Sequence, residues 1–185
     1  MGQCKKCNDS GFIIDKNGKA KKCSCLLQKE LTDYLKHYNK YKFNKKYATN
    51  SLCTDLLCLD CSENSFGSLV KSFLSLTYIQ FPDTKWTDIT GQDLVTVTFG
   101  DDETYLVGDL QEIDFLIIKL GRDSYNKALG MWLLNLLTKR KELGKLTWVY
   151  IYPLVTMSKI IDVYGDEFCN FIKDKHNFKS VKGDK

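Results

Sequence analysis

Proline and histidine are scarce, with two of each among 185 residues. Pro82 and Pro153 stand alone, so long Pro-rich linkers are excluded. Neither His37 nor His176 sits in a motif that would make it a general base or metal ligand. No Gly-x-Ser-x-Gly nucleophile turn occurs either, so the chain offers no catalytic constellation. No apolar run approaches the roughly 20 residues that cross a bilayer. The opening Met1–Lys6 is polar and does not read as a secretory leader. A cytoplasmic protein without membrane association is expected. Internal repeats and low-complexity tracts are also missing. What is present suits one compact domain with a small appendage: 43% hydrophobic and 27% charged residues allow a sizeable core.

Charge is unevenly spread. Residues 1–46 carry twelve lysines against four acids, a net +8, which leaves −4 for the remainder of a chain whose total is +4. A zinc ion held by four thiolates lowers the front to about +6. Such a basic front either attracts an anionic partner such as nucleic acid or merely keeps the protein soluble. Lys21, Lys22, Lys36, Lys40, Tyr41, Lys42, Lys45 and Lys46 are the candidate contacts to nucleic acid or a protein partner. The interleaved Tyr38, Tyr41, Phe43 and Tyr47 equally suit an aromatic edge resting on the main domain.

Eight cysteines without an export signal read as metal ligands or buried thiols. Cys4-x-x-Cys7 and Cys23-x-Cys25 supply four thiolates, enough for a closed tetrahedral zinc site. Between them, Phe12-Ile13-Ile14 followed by Asn17-Gly18 predicts a hairpin with a type I′ turn, which returns the second pair to the first. The alternative is four free thiols on a flexible tail. Cys53, Cys58, Cys61 and Cys169 lack a second pair and are expected to be small core hydrophobes.

Further along, Leu27, Leu31, Tyr34 and Leu35 share one helical face. A buried strand is expected at 55–60, a helix over 69–80, and strands near 84–88 and 94–99. The Gly-flanked acids Asp101, Asp102 and Glu103 read as a hairpin tip rather than a weak divalent-ion site. A short polar-apolar stretch over 108–114 precedes an apolar strand at 115–118. A helix over 124–143 closed by Gly144 follows, then a strand at 147–152 and a helix over 157–173. Trp86, Trp132 and Trp148 are placed in the core or at an interface. Apolar strands alternating with helices indicate a parallel sheet covered on both faces.

The order of these elements, with Cys4-x-x-Cys7…Gly11-Phe12…Cys23-x-Cys25, Asp114-Phe-Leu-Ile-Ile-Lys-Leu-Gly121, the Arg140…Gly144-Lys145 passage and Tyr164-Gly165, resembles the bacterial and phage loaders of the replicative helicase. It is similar also to the ATPase helpers of insertion-sequence transposases, all of the AAA+ class. The resemblance implies a zinc-binding hairpin module at 1–28 and a basic helical connector at 29–50. A three-layer, P-loop-like (RecA/AAA+) domain then spans 51–175, with a polar, frayed tail at 176–185.

Departures from that family carry as much information. A phosphate loop needs Gly-x4-Gly-Lys-Ser/Thr, whose backbone N–H groups and lysine neutralise phosphates. The corresponding stretch runs from Cys61 to Ser68, with Phe66 in the way, Gly67 at the lysine position and only Ser68 retained. Lys119 stands where an acid would hold Mg²⁺. The γ-phosphate-sensing position falls within Tyr150–Tyr152, and Glu167 and Asn170 stand where relatives carry arginines. The resemblance therefore implies structural zinc, no bound ATP and a pseudo-ATPase. As a helicase-loader-like adaptor of phage or mobile-element DNA replication, it would join a hetero-oligomer with a replicative helicase or a competent AAA+ relative. Arg140 or Arg122 would face that neighbour's nucleotide. Two other readings stay open: a zinc-stabilised nucleic-acid-binding protein without a helicase partner, and a structural subunit of a larger assembly.

Overall fold

The computed structural model describes residues 4–47, 53–99, 107–121, 127–153 and 155–182. Gly100–Glu103 and Arg122 lie outside the described residues. A two-stranded hairpin, β1 (Phe12–Ile14) and β2 (Ala20–Lys22), leads into helix α1 (Ser24–Leu35) and two 3-10 turns, Lys36–Lys40 and Lys45–Tyr47. The α/β domain then alternates β3 (Leu56–Leu59), α2 (Glu63–Gln80), β4 (Trp86–Thr90), α3 (Gly91–Phe99), α4 (Val107–Glu112), β5 (Phe115–Leu120), α5 (Lys127–Glu142), β6 (Leu146–Ile151), α6 (Met157–Tyr164), α7 (Asp166–Lys173) and β7 (Lys179–Lys182). The five domain strands form one parallel sheet in the order β4-β5-β6-β3-β7. This three-layer α/β arrangement is the fold class expected.

Alternation along the strands assigns two cores. Leu57, Leu116, Ile118, Val149 and Ile151 face α5, α6 and α7. Leu56, Phe115, Ile117, Trp148 and Tyr150 face α2, with Leu35 and Tyr38 of the connector on the same side. Gly130 of α5 permits close packing there: a Cβ would sit 1.7 Å from the Tyr164 carbonyl oxygen at the end of α6.

Several elements differ from the sequence-based expectation. The 94–99 segment is helical because Thr90 and Asp93 form a reciprocal capping box. The Asp93 carboxylate accepts from the Thr90 N–H at 2.9 Å, and the Thr90 hydroxyl from the Asp93 N–H at 3.2 Å. That start signal overrides the β-branched run that follows. The short stretch at 108–114 is largely helical, within α4 up to Glu112. Helix 157–173 is two helices, divided at Gly165, whose φ is +86°. The tail does not fray between 179 and 182: Phe178 buries its ring and β7 pairs with β3 from Leu56↔Lys179 to Leu59↔Lys182. In the hairpin, only Gly18 of the Asn17-Gly18 pair has positive φ. The Asp15 carboxylate instead gathers the N–H groups of Asn17 and Lys19, so the connection is a longer bulged loop and not type I′. Leu27 is 43% exposed, whereas Leu35 at the other end of α1 is buried. Cys58, Cys61 and Cys169 are buried as expected, but Cys53 is exposed. Trp86 and Trp148 are core residues. Arg140 faces no neighbour. It is fully buried, donating to the carbonyls of Leu110, Ile113 and Leu146 at 2.6, 2.8 and 2.6 Å and to the Thr147 hydroxyl at 2.9 Å.

Candidate metal centre and the carboxyl edge of the sheet

Cys4 opens a tight turn in which its carbonyl accepts from the N–H groups of Cys7 and Asn8. Asn8 and Asp9 take left-handed backbone angles, and the Asp9 carboxylate accepts from the Cys4 N–H at 2.7 Å. This turn points both sulfurs of the first pair one way. The second pair converges by a different device. Cys23 is the N-cap of α1 and Cys25 lies in its first turn, so the backbone is already coiling between them. The Cys23 N–H donates to the Gly11 carbonyl at 2.7 Å, which fixes the hairpin's return.

All four sulfurs lie within 4.8 Å of one another, with Cys4–Cys23 at 3.9 Å and Cys7–Cys25 at 3.3 Å. Ligands about 2.3 Å from a tetrahedral zinc stand ~3.8 Å apart, so the cluster fits that ion. Cys7 and Cys23 are buried. The backbone N–H of Cys25 lowers the Cys23 thiol to about 7, and the hydrogen bond with Cys7 raises Cys25 to about 12. Crowded thiols cannot all ionise unaided, and a divalent cation removes that obstacle.

A second constellation lies at the carboxyl end of the strands, where open α/β sheets receive ligands. Only Asp60, Cys61 and Ser62 join β3 to α2. Ser62 caps the helix, accepting from the Ser65 N–H, and Glu63 occupies the first turn. Phe66, Gly67 and Ser68, expected in a loop, are therefore helical. Gly67 misleads as a breaker; its lack of a Cβ makes room for the Tyr41 ring, whose atoms would lie 2.5 Å away from one. Phe66 stacks on Tyr150 at 4.1 Å between centroids, and the Tyr150 hydroxyl donates to the Cys61 carbonyl at 3.0 Å. Beside α2's first turn, a 350 Å³ hollow is lined by Lys40, Tyr41, Ser62, Glu63 and Asn64.

The connector crosses this edge as a strap. Lys71 donates to the Asn39 carbonyl at 2.6 Å, and Ser72 accepts from the Asn44 N–H at 2.8 Å. Tyr38 is 2% exposed; its hydroxyl donates to Asp88 at 3.2 Å and Lys119 lies over its ring. Burial pushes the Tyr38 phenol far above its ordinary pKa, so it donates at every physiological pH. Lys119 on β5 and His37 also pair with the Asp88 carboxylate, the latter at 2.9 Å. Sequence reasoning missed Asp88; its one signal is an acid within the strand word Trp86-Thr-Asp-Ile-Thr90. We expect Lys119→Met to lower stability by about 2 kcal/mol in urea melts, because Asp88 stays largely buried with less compensation. Adding Asp88→Asn should recover much of that loss; simple additivity in the double-mutant cycle would mean that the pair contributes nothing.

The basic candidates lie on the hairpin and on the connector. Lys21 lies on the hairpin opposite Ile13, and Lys22 pairs with Glu30 at 2.9 Å. Lys36 lies over Trp86 and Lys40 over Tyr41. Lys42, Lys45 and Lys46 are exposed beside the strap. The aromatic connector rests on the domain, with Tyr34, Tyr41 and Tyr47 packed against its core. Among the described residues no helix is long and apolar enough to cross a membrane.

The sequence matches no protein-family model and no curated protein. Among solved structures it is similar to domain III of the replication initiation protein DnaA from Thermotoga maritima, with a TM-score of 0.53 and 12% identity over 86% of this chain. The likeness is one of fold. It spans 62% of the DnaA domain. A second similar structure is the DnaC helicase loader, with a TM-score of 0.49 and 11% identity, covering 86% of this chain and 88% of that one.

Proposed function

We propose that this protein is a non-catalytic adaptor of the helicase-loader type in phage or mobile-element DNA replication. In this reading zinc organises the N-terminal module, which with the basic connector docks a protein partner, a replicative helicase or a competent AAA+ relative. The α/β domain is the scaffold that carries them. The observation that carries the proposal is the three-residue turn from Asp60 to Ser62. A phosphate cradle requires a longer glycine-rich loop and a lysine, because its backbone N–H groups must wrap the anion. Here the helix begins at once, with the Glu63 carboxylate in its first turn and the Tyr41 ring above Gly67. A lysine paired with Asp88 replaces the metal-binding acid, and a cation opposes Mg²⁺. These features support a domain that neither binds nor hydrolyses ATP.

Titration calorimetry of the zinc-loaded chain with ATP and Mg²⁺ should give no binding heat; micromolar affinity would overturn the pseudo-ATPase reading. Affinity capture from host lysate, washed at high salt, should retain one stoichiometric ATPase partner. Capture of nucleic acid alone, lost steeply as salt rises, would favour the nucleic-acid-binding alternative.

A further inference from the structure

Two exposed surfaces of the molecule are complementary, one on the N-terminal module and one on the α/β domain. The first is the hairpin strand β1, whose Phe12, Ile13 and Ile14 are 50%, 36% and 78% exposed. Three consecutive apolar side chains at a protein surface call for a partner. Around them stand Lys16, Lys19 and Lys21, all exposed. The second is a 680 Å³ groove between α5 and the α6–α7 corner. Its floor is apolar, from Met131, Ile161 and Tyr164, and its rim carries the carboxylates of Asp162, Asp166 and Glu167. Met131 is half exposed there.

Within one molecule these surfaces cannot meet. The hairpin continues into α1, and the Lys22–Glu30–Tyr78 contacts tie both to α2 on one face of the sheet. The groove belongs to the helices on the opposite face. An apolar strand ringed by lysines and an apolar groove ringed by acids match in both hydropathy and charge. The basic front and the acidic remainder of the chain extend that complementarity over longer range.

We infer that the groove between α5 and α6–α7 receives the β1–β2 hairpin of a second copy of this chain. The contact joins two different surfaces, so each bound copy still offers a free hairpin or a free groove. Repetition produces a ring or an open chain of copies, not a two-fold dimer. This inference stands on the two surfaces alone and does not depend on the adaptor reading.

Sedimentation velocity of the zinc-loaded full chain tests it. The weight-average mass should rise above the 21.3 kDa monomer with concentration, reaching oligomers by ~100 µM at low salt, and fall as salt screens the rim. Ile14→Asp, or Lys19→Glu with Lys21→Glu should Ile14→Asp disturb metal binding, should weaken association at least ~10-fold. Met131→Glu, which puts a carboxylate among the groove's apolar side chains and meets either hairpin variant with like charge, should do the same from the other side. Mixing a hairpin variant with the groove variant leaves one intact contact per pair. That mixture should form a capped 1:1 dimer and nothing larger. Wild-type protein that stays monomeric at ~100 µM, or a mixture that forms no dimer, overturns the inference.

Discussion

Cys7→Ser is expected to release the metal and unfold residues 4–30 while the α/β domain stays folded. Purified wild-type protein should contain about one zinc per chain, and chelation should abolish amide protection in the hairpin and the first turns of α1. The size of the effect follows from how little else holds the module. Apart from Cys7, Gly11 and Cys23, its described residues through Cys23 bury almost nothing, and Phe12 and Ile14 lie in solvent. A three-residue strand pair without a core is unstable in water. Four thiolates on zinc supply ~10 kcal/mol of binding free energy that serves as folding energy. A metal-free wild-type chain with a fully protected N-terminus would refute this.

Arg140→Met should be among the most damaging single changes in the domain, lowering unfolding free energy by about 3–5 kcal/mol in urea or guanidinium titration. Burial lowers the guanidinium pKa to about 10, well above neutrality, so the buried group is charged. It is satisfied by carbonyls from α4, from the α4–β5 connection and from β6, which its five N–H donors tie to α5. Methionine fills much of the volume but leaves those carbonyls without a donor. A loss below 1 kcal/mol would mean that water replaces the guanidinium without strain.

The parts most legible in the sequence were those with a short-range signal. Cysteine spacing points to the cluster of four thiols, and apolar runs mark β3, β5 and β6. What escaped depended on partners distant in the chain. Asp88 reads as a polar interruption until Tyr38, Lys119 and His37 are brought to it from other elements. Gly67 reads as a loop residue because nothing local announces that Tyr41 will lie against it. The tail looked frayed since one phenylalanine among lysines gives little periodicity, yet an open strand edge on β3 was enough to recruit it. Local evidence for α3 did exist in Thr90-x-x-Asp93, and the β-branched run concealed it.

The position of β3 has a consequence for how the chain reaches its native state. Leu56 to Leu59 are flanked by β6 and β7, so Leu56 waits for Trp148 on one side and Lys179 on the other. Both pairings close very long loops, which makes assembly of the sheet slow relative to its helices. At ribosomal speeds of ~5–20 residues per second, the apolar word Leu-Leu-Cys-Leu spends seconds without its neighbours. It is therefore the segment of a nascent chain that chaperones have most reason to shield.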